Sequence, residues 1–216
     1  GMATAPALYK KLSFDPLKDF EYIGQVVDVP MTLLARKDFP ANNFQELLAY
    51  IKANKDKVSL ANAGLGAVSH LCGLMFMSQV GVDLTTVPYK GTAPAMTDLI
   101  GGQIDLMCDQ TTNTTGQIEA GRVKAFAVTT AKPLSGHKLL KDYPTLNEMG
   151  MRGFNLTIWH GLYAPKGTPP AVTKMLNDAL KKALKDPEFI KKNEGLGALV
   201  VTDNRTDPAE HKKFVA

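Results

Sequence analysis

Two glycine-bearing loops constrain this chain more than any other feature. Residues 62–70 read Asn-Ala-Gly-Leu-Gly-Ala-Val-Ser-His, and residues 89–94 read Tyr-Lys-Gly-Thr-Ala-Pro. Each loop follows a short apolar or β-branched run and opens a helix-like pattern. Strand, loop and helix in that order, met twice in succession, imply βαβ units and a parallel sheet with both loops at C-terminal strand ends. The first amides of a helix have no intrahelical acceptor, so two such loops make two clusters of N–H donors. Such clusters suit an anion, a carboxylate as well as a phosphate. No strong nucleophile, base pair or metal cluster accompanies them, and that favours binding over catalysis.

The rest of the pattern agrees with an α/β chain. Residues 3–20 read as loop, and residues 22–36 read as strand until Phe39-Pro40 breaks the run. Asn43 is placed to cap a helix through Leu47, Leu48 and Ile51, with Glu46 three residues on as a weakened capping box. Val58 to Ala61 is a strand into the first loop, and Ser69 to Val80 is a helix of core residues. Leu84 to Val87 is a strand into the second loop, and Ala93 to Ile100 is a helix stopped by Gly101-Gly102. Ile104 to Cys108 is a strand that delivers Asp109 to its end, Ile118 to Ala120 is helical, and Val123 to Thr129 is a strand. Residues 132–153, with two prolines and three glycines, read as a connection between two lobes. A strand over 154–163 follows, then a helix from Pro169-Pro170 to near Lys185, a short helix from Pro187, and a last strand over 195–201.

Composition excludes several classes. The hydrophobic content of 44% and charged content of 21% are those of an ordinary globular protein. No apolar run approaches the roughly 20 residues that a membrane span needs. A net charge of +4 is too diffuse for a nucleic-acid surface, and Lys181, Lys182, Lys185, Lys191 and Lys192 read as a solvated helical face. Cys72 and Cys108 have apolar neighbours and are expected as buried thiols, with a disulfide the less favoured alternative. Two cysteines and four scattered histidines do not make a zinc site. Gly1-Met2 resembles the scar of a cleaved tag, so the lack of a signal sequence says nothing against export.

Residues 64–69 fall one residue short of the dinucleotide fingerprint. The acid that should end the next strand is misplaced, since Asp83 precedes that strand and Tyr89 and Lys90 stand where the acid belongs. No Walker pattern is present. Ser69 and His70 are adjacent on a helix and point about 100° apart, so they do not form a nucleophile–base pair. His70 reads first as a packing or capping residue. Lys90 is balanced between an anion contact and a solvated side chain. Asp109 is either an N-cap for the residues beyond it or a ligand contact, and Trp159 is read as core first and pocket wall second.

Ordered motifs then carry a resemblance. Pro6 to Leu12, Asp15 to Phe20, Ala63 to Leu71, Val87 to Ala95 and Asp98 to Asp105 are among them, with Ala127 to Thr129, Pro144 to Glu148 and Trp159 to Pro165 further on. Taken together, the chain resembles the Bug-type solute receptors of tripartite tricarboxylate transporters. The resemblance implies a type II periplasmic binding protein-like α/β fold, two lobes with mainly parallel sheets, and ligand capture by lobe closure. It implies one lobe over residues 38–128 and a discontinuous second lobe from 3–37 plus 129–216. The implied ligand is a small organic anion: a di- or tricarboxylate, an acidic amino acid or an aromatic acid. Implied contacts fall on Gly64, Gly66, Ala67 and Ser69 in the first loop, Tyr89, Lys90, Gly91 and Thr92 in the second, and Asp109 at a strand end. The same analogy implies a periplasmic location, membrane transporter subunits as partners, no cofactor or metal, no nucleic acid and no enzymatic activity.

Three departures accompany it. Ala67 stands where the family carries a hydroxyl, Cys108 where a bulky apolar residue is usual, and nothing matches the family's N-terminal strand and Pro-Gly-Gly loop. The chain thus reads as an N-terminally truncated form with one lobe incomplete, and its open sheet edges imply a dimer or swapped assembly. Two alternatives stay open at this point. One is an interaction or regulatory module derived from such a receptor. The other is an enzyme on the same fold, which requires Lys90, His70 and Asp109 to converge.

Overall fold

A computed structural model describes residues 1–216. In chain order the elements are α1 (Ala5–Leu8), β1 (Phe20–Arg36), α2 (Phe44–Asn54), β2 (Ser59–Asn62), α3 (Val68–Val80), β3 (Thr85–Pro88), α4 (Thr92–Ile100) and β4 (Leu106–Gln110). They continue with α5 (Thr111–Glu119), β5 (Val123–Val128), β6 (Thr157–Pro165), α6 (Pro170–Ala183), α7 (Pro187–Gly195), β7 (Leu199–Val200) and α8 (Pro208–Val215). Contacts divide the chain into two compact units, Pro30–Ile158 and Gly1–Val29 with Trp159–Ala216.

The central unit is a five-stranded sheet in the order β3-β2-β4-β1-β5. β2 runs parallel to both β3 and β4, as the βαβ pattern requires. β1 is antiparallel to β4 and to β5, so four strands share one direction and β1 opposes them. Period-two alternation sends side chains to opposite faces. Leu33, Leu60, Leu106 and Cys108 face one core with Leu47 and Ile51 of α2 and Cys72 and Phe76 of α3. Leu34, Ala61 and Met107 face a second core with Ala95, Met96 and Leu99 of α4 and Ile118 of α5.

Contacts carry this unit beyond residues 38–128 at both ends. Residues 31–36 belong to it because they pair with β4 and β5. Residues 129–158 belong to it because Val128 bridges Thr145 and the Leu156 amide donates to the Thr129 carbonyl at 2.9 Å. One correction concerns the cysteines. Cys72 and Cys108 are not thiols but a disulfide, with Cα atoms 6.2 Å apart. The first core puts α3 directly against the end of β4, within the span that a disulfide bridges.

The other unit has its own small core of Ile23, Ala164, Leu180 and Leu184. β7 meets β1 in antiparallel register, at Val27 with Val200. His211 of α8 is fully buried, and its Nε2 is 2.8 Å from the Tyr163 hydroxyl. Tyr22, Trp159 and Phe214 complete an aromatic cluster around α8. No helix of the chain is long and apolar enough to cross a membrane.

Candidate functional site

The neighbouring parallel strands β3, β2 and β4 end at Pro88, Asn62 and Gln110, and a helix starts just past each end. α4 opens at Thr92, α3 at Val68 and α5 at Thr111. Three helix N-termini therefore lie at one edge of the sheet. The two glycine loops predict the first two. The third has no such signal, and only residues 118–120 of α5 read as helical in the sequence.

The first loop is tied internally. Asn62 Oδ1 accepts the Gly64 amide at 2.9 Å, in an Asx turn. Ser69 Oγ accepts the Ala63 amide at 2.9 Å, and His70 Nδ1 accepts the Gly66 amide at 3.2 Å. The Ala67 amide donates to the Gly64 carbonyl. His70 is thus a loop-capping residue in this conformation. Gly64 has a positive φ of 133°, and a Cβ there would meet the Tyr89 carbonyl oxygen at 3.3 Å, so only glycine suits the turn and the close approach of the loops.

The second loop is anchored to the first. The Tyr89 amide donates to the Asn62 carbonyl and the Gly91 amide to the Ala63 carbonyl, both at 2.9 Å. The Tyr89 hydroxyl donates to Asp98 Oδ2 at 2.7 Å, turning the ring back onto α4. Burial, helped by Asp98, pushes its phenol up to about 12. Lys90 is exposed.

Asp109 stands within β4 rather than after it, and is 3% exposed. Its Oδ2 accepts the Thr92 hydroxyl at 2.9 Å, and its Oδ1 accepts the Gln110 amide at 2.8 Å and Asn113 Nδ2 at 3.0 Å. Burial pushes its carboxyl up, and the bonds from Asn113, Thr92 and Gln110 oppose that shift. No hydrogen bond joins Lys90, His70 and Asp109; the last two are engaged with different loops.

All nine expected contacts therefore line one sheet edge: Gly64, Gly66, Ala67, Ser69, Tyr89, Lys90, Gly91, Thr92 and Asp109. Their availability differs. The amides of Gly64, Gly66, Ala67, Tyr89 and Gly91 are spent on the loops themselves. The amides left without an intrahelical acceptor are those opening α3, α4 and α5: Val68 and Ser69, Thr92 and Ala93, Thr111 and Thr112. Two buried polar atoms at this edge have no hydrogen-bond partner, Asn62 Nδ2 at the end of β2 and Thr111 Oγ1 just past β4. Sequence signs for Thr111 are poor, since a run of threonines reads as a turn or strand.

Known proteins share both the sequence pattern and the fold. A family profile described as the tripartite tricarboxylate transporter family receptor matches residues 1–214. A curated Agrobacterium vitis protein, the UPF0065 protein in the TAR-I ttuE-ttuC' intergenic region, is 48% identical over the whole of this chain, which covers 62% of that relative. Two further curated relatives are each covered to 58%, so the chain spans less than two thirds of the length of these three relatives. Periplasmic binding protein BugD superposes with a TM-score of 0.93 at 55% identity, over 99% of this chain and 70% of BugD. MatC from Rhodopseudomonas palustris, solved with bound malate, superposes with a TM-score of 0.88 at 35% identity, over 99% of this chain and 72% of MatC. The fold is the type II periplasmic binding protein-like α/β fold that the resemblance implied.

Proposed function

The chain belongs to the tripartite tricarboxylate transporter receptor family, and from that premise we propose that it is the ligand-holding part of a periplasmic receptor for a small dicarboxylate, delivered to the membrane subunits of its transporter. One observation carries this reading: three helix N-termini open at one sheet edge with their first amides unspent. Each helix end favours a nearby anion by about 0.3–1 kcal/mol at an exposed site, and the N–H groups add direct hydrogen bonds. The glycines and Ala67 shape the loops, while Val68, Ser69, Thr92, Ala93, Thr111 and Thr112 offer the donors. The Lys90 ammonium adds a cation at the second loop. Malate in MatC is a dicarboxylate held by a protein 35% identical to this one.

The reading is one of binding without a reaction. Ser69 and His70 serve the first loop, and Asp109 serves α4 and α5, so none of them is placed as an acid or base toward Lys90. Isothermal titration with L-malate, succinate, adipate, L-aspartate and benzoate tests it. The expected result is one saturable site that prefers the dicarboxylates. A flat response across the panel would sink the reading.

A further inference from the structure

Two adjacent residues near the end of β4 have opposite attachments. Cys108 faces the core that holds α3, and its sulfur is bonded to Cys72 of that helix. Asp109, the next residue, points to the other face, as strand alternation requires. There its carboxylate accepts from Thr92, the first residue of α4, and from Asn113 in the first turn of α5. Thr32 of β1, paired in register with Asp109, strengthens the hold: its hydroxyl is bonded to the Asp109 carbonyl and to Thr114 Oγ1, again on α5. One strand end thus ties all three helices whose N-termini open at this edge. Cys72 and Cys108 are fully buried and Asp109 nearly so, which leaves no surface for a ligand to touch.

We infer that Cys108 and Asp109 form a brace that sets the spacing of the three helix N-termini, and that they position the anion site rather than contact the anion. The inference rests on the carboxylate-receptor reading above. An anion site tolerates displacements of only about 0.5 Å in its donors, and three separately mobile helix ends would not hold that spacing. The hydrogen-bond partners of Asp109 are neutral groups, so its role is that of an acceptor for three donors. An asparagine reproduces the pattern: its oxygen accepts from Gln110 and Asn113, and its amide donates to the Thr92 hydroxyl oxygen.

Amide hydrogen exchange of the unliganded chain, read beside titration with L-malate, tests the brace. In Asp109→Ala, amides of residues 95–100 and 115–119 should exchange about tenfold faster or more while those of 71–77 stay unchanged. L-malate affinity should fall about tenfold or more with them. Asp109→Asn should restore both. The pair Cys72→Ala with Cys108→Ala should speed exchange over 71–77 and leave 95–100 unchanged. If that pair does not fold, Cys72→Ala with Cys108→Val refills the space and carries the same expectation. The inference is overturned if Asp109→Asn loses as much affinity as Asp109→Ala, because the charge itself would then be serving the ligand. It is also overturned if either substitution leaves its helix as protected as in the parent chain. Variants that show the exchange pattern beside a parent chain that takes up no L-malate keep the brace and count against the ligand reading alone.

Discussion

Ser69 Oγ accepts the Ala63 amide at 2.9 Å, so the first turn of α3 reaches back and closes the loop that leads into it. Ser69 is 4% exposed, and its removal leaves a part-buried N–H without an acceptor. Ser69→Ala should therefore cost about 1–3 kcal/mol of stability. L-malate binding should weaken as well, because the same loop carries the Val68 and Ser69 amides. The urea midpoint and a malate titration of the variant read the two effects.

Thr111 gives the opposite sign for stability. Its Oγ1 is buried with no partner, and Thr111→Val replaces that hydroxyl with a methyl of similar size. Relief of an unsatisfied buried group should leave the variant as stable as the parent or up to about 1 kcal/mol more so. If the hydroxyl serves a bound carboxylate, affinity for L-malate should fall in the same variant. Denaturation and titration done side by side check the pairing; a drop in stability would show that Thr111 has a partner in the folded chain.

His211 makes stability depend on pH. Burial, with the Arg205 cation second, lowers its folded-state value from 6.5 to about 4. The unfolded chain regains the ordinary value. Between pH 6.5 and about 4 the unfolded state therefore binds more protons than the folded one. The contribution is complete above 6.5 and is lost as pH falls through that window. Urea midpoints at about pH 7 and about pH 5 should differ, and less so in His211→Gln, which cannot titrate there.

The Cys72–Cys108 disulfide closes a loop over a sequence separation of 36. Constraint of the unfolded chain by a loop of this size is worth about 3–4 kcal/mol. Replacement of both cysteines by alanine should lower the urea midpoint accordingly, and thiol-reactive labelling of the unfolded parent chain should find no free thiol.

Much of the central unit is legible in the sequence because its signals are local. Short apolar runs before glycine loops mark β2–α3 and β3–α4, and Asn43 caps α2 by accepting the Glu46 amide as expected. Pro169-Pro170 likewise opens α6. The features that escape a sequence reading depend on residues far apart in the chain. α5 begins with Thr111 and Thr112 and carries Thr114 and Thr115, poor helix formers; the helix is held by Thr32, bonded to Thr114, and by Asp109, which accepts from Asn113. The antiparallel course of β1 depends on partners some 70 residues away, at Leu106 to Gln110. The disulfide is hidden for the same reason. In the site, the loop positions are legible and the use of their amides is not. Asn62 and His70 side chains take donors that a sequence reading assigns to a ligand.

The central claim is that the first turns of α3, α4 and α5 together hold a carboxylate. Titration of the 15N-labelled chain with L-malate, followed amide by amide, tests it most directly. The account predicts saturable shifts concentrated on Val68, Ser69, Thr92, Ala93, Thr111 and Thr112, with Gly64 and Gly91 moving less. Shifts that do not saturate, or that fall away from these three helix starts, would contradict it.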